Sequence, residues 1–250
     1  MPLPPGYTLV ALDRVESTQE EAARLLQQGK AKNRTVVTAK SQTKGRGRYG
    51  RDWVSAEGNL FASLVLCPAG DLSGWGQLGF VASLAVAEAI RKILPPESKV
   101  QLKWPNDVLV DGKKIAGILL EIKSDPQGKD VLILGFGVNG VSHPEQAEIP
   151  ATDLKEQKAE KTEPEAVLEA VMAAFEGYYE LWQEKGFAAI REPWLALAKD
   201  LKKEVAVRFA GKEIKGEFVD IGSDDGALYI KKAGGQTERI ACGDVYFSHQ

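Results

Sequence analysis

Between Lys40 and Arg51 the chain carries five cations (Lys40, Lys44, Arg46, Arg48, Arg51), three glycines (Gly45, Gly47, Gly50) and no acid. Glycine lets backbone N–H groups approach an anion closely, and the arginine guanidinium is a planar fork matched to phosphate oxygens, so the chemistry on offer is phosphate binding. The same composition occurs in disordered arms that bind nucleic acid and in solvated loops, and the run alone does not choose between them. A second reactive candidate is Lys103 in Lys103-Trp104-Pro105-Asn106-Asp107, where an apolar strand meets a Pro-Asn-Asp turn. Strand ends are where scaffolds present functional groups, although an ordinary exposed lysine is the plain alternative. Asp107 reads by default as a turn stabiliser. Gly135 and Gly137 weaken the strand they occupy unless a ligand or another backbone comes close. Ser17 suits both a helix N-cap and a ligand contact, and the two roles can coexist.

The elements that must position these groups follow from periodicity and turn chemistry. Tyr7 to Leu12 reads as a strand, and Ser17-Thr18-Gln19-Glu20 has capping-box spacing, opening a helix that runs to Gly29. Residues 34–39 form a β-branched strand that delivers the Gly/Arg loop. Asn59 to Leu66 reads as a buried strand, Leu78 to Leu94 as a helix, and Val100 to Trp104 as a strand entering the Pro-Asn-Asp turn. Val108 to Val110 and Ile115 to Ile122 flank Asp111-Gly112, a tight-hairpin dipeptide, and Val131 to Val138 is a further strand. A second capping-box spacing, Thr162-Glu163-Pro164-Glu165, opens a helix whose stripe of Leu168, Val171, Phe175, Tyr178 and Trp182 reads as core packing. From about Lys203 the pattern changes to four short strands with Gly-rich turns (Val205 to Phe209, Ile214 to Ile221, Ala227 to Lys231, Arg239 to Ala241), read as a small β-barrel.

The whole chain narrows the function classes. Its 250 residues suit one large domain and one small one, and its net charge of −3 argues against a general nucleic-acid binder, leaving the positive charge local. Two cysteines, Cys67 and Cys242, and two histidines, His143 and His249, suggest neither a disulfide framework nor a zinc site. The segment Met1-Pro2-Leu3-Pro4-Pro5-Gly6 has no signal-peptide pattern, and no stretch is apolar for long enough to span a membrane, so a cytoplasmic location with no membrane partner is expected.

Five segments, in this order and spacing, resemble the biotin–protein ligases: Ser17-Thr18, Gln42-x-x-Gly45-Arg46-Gly47-Arg48, Lys103-Trp104-Pro105-Asn106-Asp107, Ala116-Gly117-Ile118-Leu119-Leu120-Glu121, and Gly135-x-Gly137-Val138-Asn139. The resemblance runs from about Tyr7 to the C-terminus. It implies an α+β fold: a mixed, largely antiparallel sheet with helices, of the class II synthetase-like kind (residues 1–200), followed by an SH3-like β-barrel (residues 201–250). It also implies the activity, which is formation of biotinyl-5'-AMP from biotin and ATP, then transfer of biotin to a lysine of a biotin carboxyl carrier protein domain. Members often pair through the central sheet, so a homodimer is expected. Some members carry an N-terminal helix-turn-helix that represses biotin operons; six residues before the first strand are too few for one, so no DNA partner is expected.

By the same resemblance Lys103, Arg46 and Arg48 are the catalytic cations, with Lys103 bridging the biotin carboxylate and the α-phosphate. The biotin site is assigned to Ser17, Thr18, Gln42, Gly45, Arg46, Lys103, Gly117, Gly135 and Gly137, and the ATP and adenylate site to Arg46, Arg48, Arg51, Trp53, Lys103, Asn106 and Asn139. Trp53 covers adenine in this assignment, although packing under the loop is its plain alternative. Magnesium is expected as ATP's partner, with its protein ligands unassigned. The family's Ser-Thr-Asn segment reads Ser17-Thr18-Gln19 here, which leaves position 19 without an assigned role. A lipoate ligase shares the fold and the adenylation chemistry; the intact Gly/Arg loop, the Lys-Trp-Pro-Asn-Asp segment and the C-terminal strands favour biotin. A nucleic-acid-binding module is opposed by the acidic total and by the lack of clustered aromatics in the loop.

Overall fold

The computed structural model describes residues 3–147, 149–209, 212–241 and 243–247; Cys242 and His249 lie outside them. Along the chain the elements are β1 (Thr8–Val15), α1 (Thr18–Gln27), β2 (Thr35–Gln42), a 3₁₀ turn (Arg48–Gly50), β3 (Leu60–Leu66), α2 (Leu72–Trp75), α3 (Leu78–Ile93) and β4 (Val100–Lys103). They continue as β5 (Asp107–Val110), β6 (Lys113–Ser124), β7 (Asp130–Val138), α4 (Pro164–Lys185), α5 (Ala188–Leu197), β8 (Glu204–Phe209), β9 (Lys212–Ile221), β10 (Leu228–Lys231), β11 (Thr237–Ile240) and β12 (Asp244–Phe247). The first seven strands form one sheet in the order β1-β2-β3-β7-β6-β5-β4. Within it β1 and β2 run parallel and every other neighbouring pair antiparallel, the mixed α+β arrangement expected.

Successive strand residues face opposite sides of a sheet, and the two sides here have different cover. Val36, Leu64, Leu132 and Leu134 join the main core with the buried faces of α3 and α4, whereas Val37, Val65, Val131 and Ile133 pack with Ala22, Leu25 and Leu26 of α1. Helix α1 is short, so it covers only part of its side. Along β7 the row begun by Val131 and Ile133 continues as Gly135 and Gly137, where the helix gives out and side chains stop. The same face of β6 carries Gly117, Leu119 and Glu121, paired in register with Gly137, Gly135 and Ile133. The uncovered end of this face is where the functional site forms.

The Asp111-Gly112 hairpin closes as expected, both residues having positive φ (48° and 80°), the geometry of a tight turn between twisted antiparallel strands. Ser17 caps α1 by accepting the Gln19 N–H at 3.2 Å, but Glu20 turns its carboxylate to Arg46 instead of back to the cap. The spacing at Thr162 misled by one residue: Glu163 is the N-cap of α4, without a side-chain cap bond, and Pro164 is the first helical residue. Helix α5 is an element that the strand-and-helix reading passed over, and it leads directly into β8.

The C-terminal strands form a separate five-stranded antiparallel sheet, β11-β10-β9-β8-β12, with β12 in addition to the four strands read from sequence. This sheet is fastened to the large one. Trp104 Nε1 donates to the Gly226 carbonyl at 2.8 Å, Arg191 Nε donates to the Ile221 carbonyl at 2.8 Å, and Val205, Phe218 and Leu228 belong to the main core. Burying each such large apolar side chain contributes about 1.5–3 kcal/mol, so the Lys-Trp-Pro-Asn-Asp segment is held from behind by the small sheet.

Candidate active site

A cavity of about 430 Å³ opens on the α1 side of the large sheet, walled by the N-terminus of α1, the Gly/Arg loop, β6 and β7. Its floor is backbone. An ideal Cβ at Gly137 would lie 2.7 Å from Trp53 Cε2, and one at Gly117 would lie 3.0 Å from Trp53 Cζ3, so the absence of side chains at this cross-strand pair is what admits the indole. The Trp53 Nε1 is buried without a hydrogen-bond partner.

The Gly/Arg loop is a folded hairpin. Gly47 N–H donates to the Arg51 carbonyl at 2.7 Å and Trp53 N–H to the Gly45 carbonyl at 2.9 Å, while Arg48–Gly50 make a 3₁₀ turn with Tyr49 at φ 57°. Arg48 reaches out of the hairpin: its Nη1 lies 3.2 Å from the Gly243 carbonyl and 3.5 Å from Asn106 Oδ1, and its Nη2 is 3.0 Å from the Tyr49 hydroxyl. Arg46 points to the other wall, its Nη2 beside Glu20 and 3.5 Å from Glu121 Oε2. The loop therefore already spans the cavity from α1 to the C-terminal sheet.

At the α1 end, polar groups interlock. Gln42 Oε1 accepts from the Thr18 backbone N–H (2.8 Å) and the Thr18 hydroxyl (3.2 Å), Gln42 Nε2 donates to Ser55 Oγ (2.9 Å), and the Ser63 hydroxyl donates to Thr18 Oγ1 (2.9 Å). At the opposite end, Asn139 Nδ2 donates to the Thr152 carbonyl at 2.9 Å and Asn106 Nδ2 to the Ile118 carbonyl at 2.6 Å, bonds that fix both amides at the wall.

Ser17, Thr18, Gln42, Arg46, Arg48, Arg51, Trp53, Asn106, Gly117, Gly135, Gly137 and Asn139 all line this cavity. Lys103 and Gly45, assigned to the same site from sequence, are not on its wall. Lys103 is buried, with its Nζ 3.3 Å from Asp107 Oδ2. The other oxygen, Oδ1, receives Lys114 Nζ at 2.6 Å, and Lys114 and Asp107 do face the cavity. Gly45 serves the loop, since a Cβ there would lie 2.5 Å from the Trp53 carbonyl and block the hairpin.

Asp107 is thus more than a turn residue. Burial alone would raise its carboxyl, but the Lys114 and Lys103 ammonium groups outweigh burial and hold it at about 2, below the ordinary 3.8. Lys114 escaped the sequence reading because of a register shift. Strict alternation from Gly117 would put Lys113 on the cavity side, but a β-bulge opposite Val108/Leu109 reverses the phase, so Lys114 faces inward and Lys113 pairs with Glu156.

A comparison with known sequences decides what this geometry belongs to: the biotin/lipoate A/B protein ligase family matches residues 11–139, and the biotin protein ligase C-terminal domain matches residues 201–248. The chain belongs to the biotin protein ligase family. It is 35% identical to a biotin–[acetyl-CoA-carboxylase] ligase of Paracoccus denitrificans over 94% of this chain and 99% of that one. It is 32% identical to the bifunctional ligase/repressor of Bacillus subtilis, over 96% of this chain and 74% of that protein. Among solved structures, a biotin protein ligase from Aquifex aeolicus in complex with biotin and ATP matches with a TM-score of 0.81 and 33% identity, covering 96% of this chain and 97% of that one. For this member of the family, the 96% of the chain that is matched takes in both sheets.

Magnesium was expected with ATP. Both oxygens of Asp107 are engaged by ammonium groups, and an oxygen-rich octahedral set is not assembled on the cavity wall among the described residues. Among those residues the one cluster of three metal-binding types, His143, Asp153 and Glu156, is held by its own contacts, His143 Nδ1 to Asp153 Oδ2 at 2.7 Å and Lys113 to Glu156 at 2.8 Å. Among the described residues these groups are therefore already engaged by protein partners.

Proposed function

We propose that the chain is an ATP-dependent biotin–protein ligase, forming biotinyl-5'-AMP and passing biotin to a lysine of a biotin carboxyl carrier domain. The observation that carries this reading is one cavity with two chemistries: a glycine-floored apolar slot at Gly117 and Gly137, and a cationic wall of Arg46, Arg48 and Lys114. Family membership supplies the substrates.

In the first step a biotin carboxylate oxygen attacks the α-phosphorus of ATP, the new P–O bond forms and pyrophosphate departs with its bonding electron pair. Negative charge grows around phosphorus, and preorganised cations stabilise it better than mobile water. We assign Lys114 as the amine facing the reacting carboxylate and phosphate, supported by its place on the wall beside Asp107. Lys103 acts through Asp107, holding the carboxylate that orients Lys114. Arg48 and Arg46 hold the phosphate side, Arg51, Asn106 and Asn139 the nucleotide, and Trp53 lies against the glycine floor of the apolar slot. Magnesium belongs with the nucleotide as MgATP.

In the second step the acceptor lysine, deprotonated from its usual pKa of about 10.4, attacks the anhydride carbonyl; the amide C–N bond forms and AMP leaves. Residues 1–200 act as the catalytic unit and 201–250 as the small unit, a division supported by the second family match starting at residue 201. A homodimer and a cytoplasmic location belong to the same reading and rest on family membership; no helix among the described residues is long and apolar enough to cross a membrane.

The test is ATP–pyrophosphate exchange with and without biotin, with lipoate as the competing substrate. Exchange that needs biotin supports the reading. Exchange driven by lipoate in preference, or independent of both, overturns it.

A further inference from the structure

Asn59, the residue that leads into β3, is buried at 2% exposure and is not on the cavity wall. Its Oδ1 accepts three successive backbone N–H groups, those of Gly140 (2.8 Å), Val141 (3.0 Å) and Ser142 (3.3 Å). Its Nδ2 donates to the Ser142 carbonyl (2.9 Å) and to Ser142 Oγ (3.2 Å). Three donors on one side and a carbonyl on the other leave the amide one chemically sensible orientation. The two main chains also meet here. Gly58 has φ 91°, and a Cβ on it would lie 2.5 Å from Val141 Cγ2, while a Cβ on Gly140 would overlap the Gly58 carbonyl. One buried carboxamide thus takes up the donors of a turn that lies up to 83 residues further along the chain.

That turn follows Asn139 directly and opens a segment of which Pro144, Gln146, Ala147, Ile149 and Ala151 line the cavity. The far end of the segment is fastened without Asn59: Lys114 N–H donates to the Pro150 carbonyl at 2.7 Å, and Thr152 N–H donates to the Lys114 carbonyl at 2.9 Å. Asn139 is held by its own bonds, from its N–H to the Ile115 carbonyl at 2.8 Å and from its Nδ2 to the Thr152 carbonyl at 2.9 Å. Near the start of the segment, the His143–Asp153 contact at 2.7 Å ties a single side chain. Asn59 instead binds three consecutive main-chain groups, and so sets the direction in which the segment leaves the sheet. A buried backbone N–H without an acceptor is costly, so a turn deprived of this oxygen must re-orient toward water.

We infer that Asn59 is a positioning residue for the nucleotide: by collecting the N–H groups of residues 140–142 it sets the wall segment in its binding position before ATP arrives. This rests on the ligase reading given above, in which Asn139 and the cavity end beside it take the nucleotide. Asn59 acts through the turn and not by contact with either substrate.

The experiment compares Asn59→Ala, which removes the acceptor, with Asn59→Asp, which keeps an oxygen for the three N–H groups and gives up donation to Ser142. Both are set against the wild type in biotin-dependent ATP–pyrophosphate exchange. With about one Asn59→Ala molecule in ten holding the segment in place, apparent affinity falls by that fraction, so KM for ATP should rise about tenfold. KM for biotin and kcat at saturating ATP should stay within about twofold of the wild type, since bound nucleotide selects the positioned segment. Asn59→Asp should bring KM for ATP back to within about threefold of the wild type. The inference is overturned if KM for ATP is unchanged in Asn59→Ala, if KM for biotin rises as much, or if Asn59→Asp behaves as Asn59→Ala does. A wild-type measurement stands beside the variants and is independent of how well they fold. In hydrogen exchange without ligands, the amides of residues 140–142 should already be slow, and α,β-methylene-ATP should slow them by less than about threefold. Fast exchange at these amides until the analogue binds overturns the inference as well. If the wild type shows no biotin-dependent exchange, the ligase reading fails, and titration of α,β-methylene-ATP into the wild type and Asn59→Ala decides the role of Asn59 separately: weaker binding by the variant supports it, and equal or absent binding overturns it.

Discussion

Lys114 Nζ stands 2.6 Å from Asp107 Oδ1 at the cavity wall, and this contact, together with Lys103 on the opposite oxygen, holds a buried carboxylate between two ammonium groups. The arrangement separates two lysines that look equivalent in the sequence: Lys114 has its side chain 25% exposed and Lys103 only 3%.

Replacing each lysine by methionine should therefore give different outcomes. Lys114→Met should lower biotin-dependent ATP–pyrophosphate exchange by about 10²–10³, the usual cost of losing one preorganised charge donor, with a smaller loss of stability. Lys103→Met should lower the melting temperature by several degrees, since a buried partner of Asp107 is lost, and reduce exchange less. Equal loss of exchange in both variants at unchanged melting temperature would contradict the division of roles.

The pH dependence of stability carries the signature of Asp107. Its folded-state carboxyl lies at about 2 against an ordinary 3.8, so the ionised form is favoured by folding. That stabilisation is fully present above about pH 4 and is lost as pH falls toward 2; the shift corresponds to about 2 kcal/mol. Asp107→Asn should be less stable than wild type at neutral pH, and the gap should narrow below pH 4 in denaturant titrations. A gap that stays constant from pH 7 to pH 2.5 would rule this out.

Gly137→Ala tests the floor of the slot. A Cβ would meet the Trp53 ring at 2.7–2.9 Å, closer than carbon contacts allow, so the indole must shift away from the floor. The expected result is a rise of about tenfold or more in KM for biotin, with near-normal far-UV circular dichroism, because the added methyl points into the cavity and away from the main core. Unchanged biotin KM would show that the indole and the ligand do not share this space.

Arg48 links the Gly/Arg loop to Asn106 and to the Gly243 carbonyl. Arg48→Gly removes that tie together with a phosphate-holding charge, so the reactive adenylate should escape and biotinylate lysines of a bystander protein, read on a streptavidin blot. Tight retention of the intermediate by the variant would count against the latch.

Hydrogen exchange reports on the same loop in the unmodified enzyme. Residues Lys44 to Arg51 place several cations close together, and an adenylate would neutralise their repulsion, so saturating biotin and ATP should slow exchange across the hairpin. Identical protection with and without ligands would show that closure does not accompany binding.

Local rules made most elements legible: short, largely apolar runs marked β3 and β7, the Asp111-Gly112 pair marked the hairpin, and Ser17 marked the start of α1. Errors arose where a local rule had a near neighbour to choose from. The Thr162 spacing resembles a cap, but Glu163 takes that place because Pro164 begins the helix. β12 was missed because its few residues show little alternation, and it is defined by its pairing with β8.

The sequence by itself determined the family, the mixed α+β class and the segments that meet at the cavity, because these depend on residue types at fixed spacing. Tertiary structure decided that Lys114 lines the cavity, since a β-bulge between β5 and β6 changes strand phase without leaving a compositional mark. It also decided that Gln42 is engaged within the protein while the Gln19 oxygen is left unpaired. Hydrogen-bond satisfaction is a property of groups brought together from distant parts of the chain, so no window of sequence contains it.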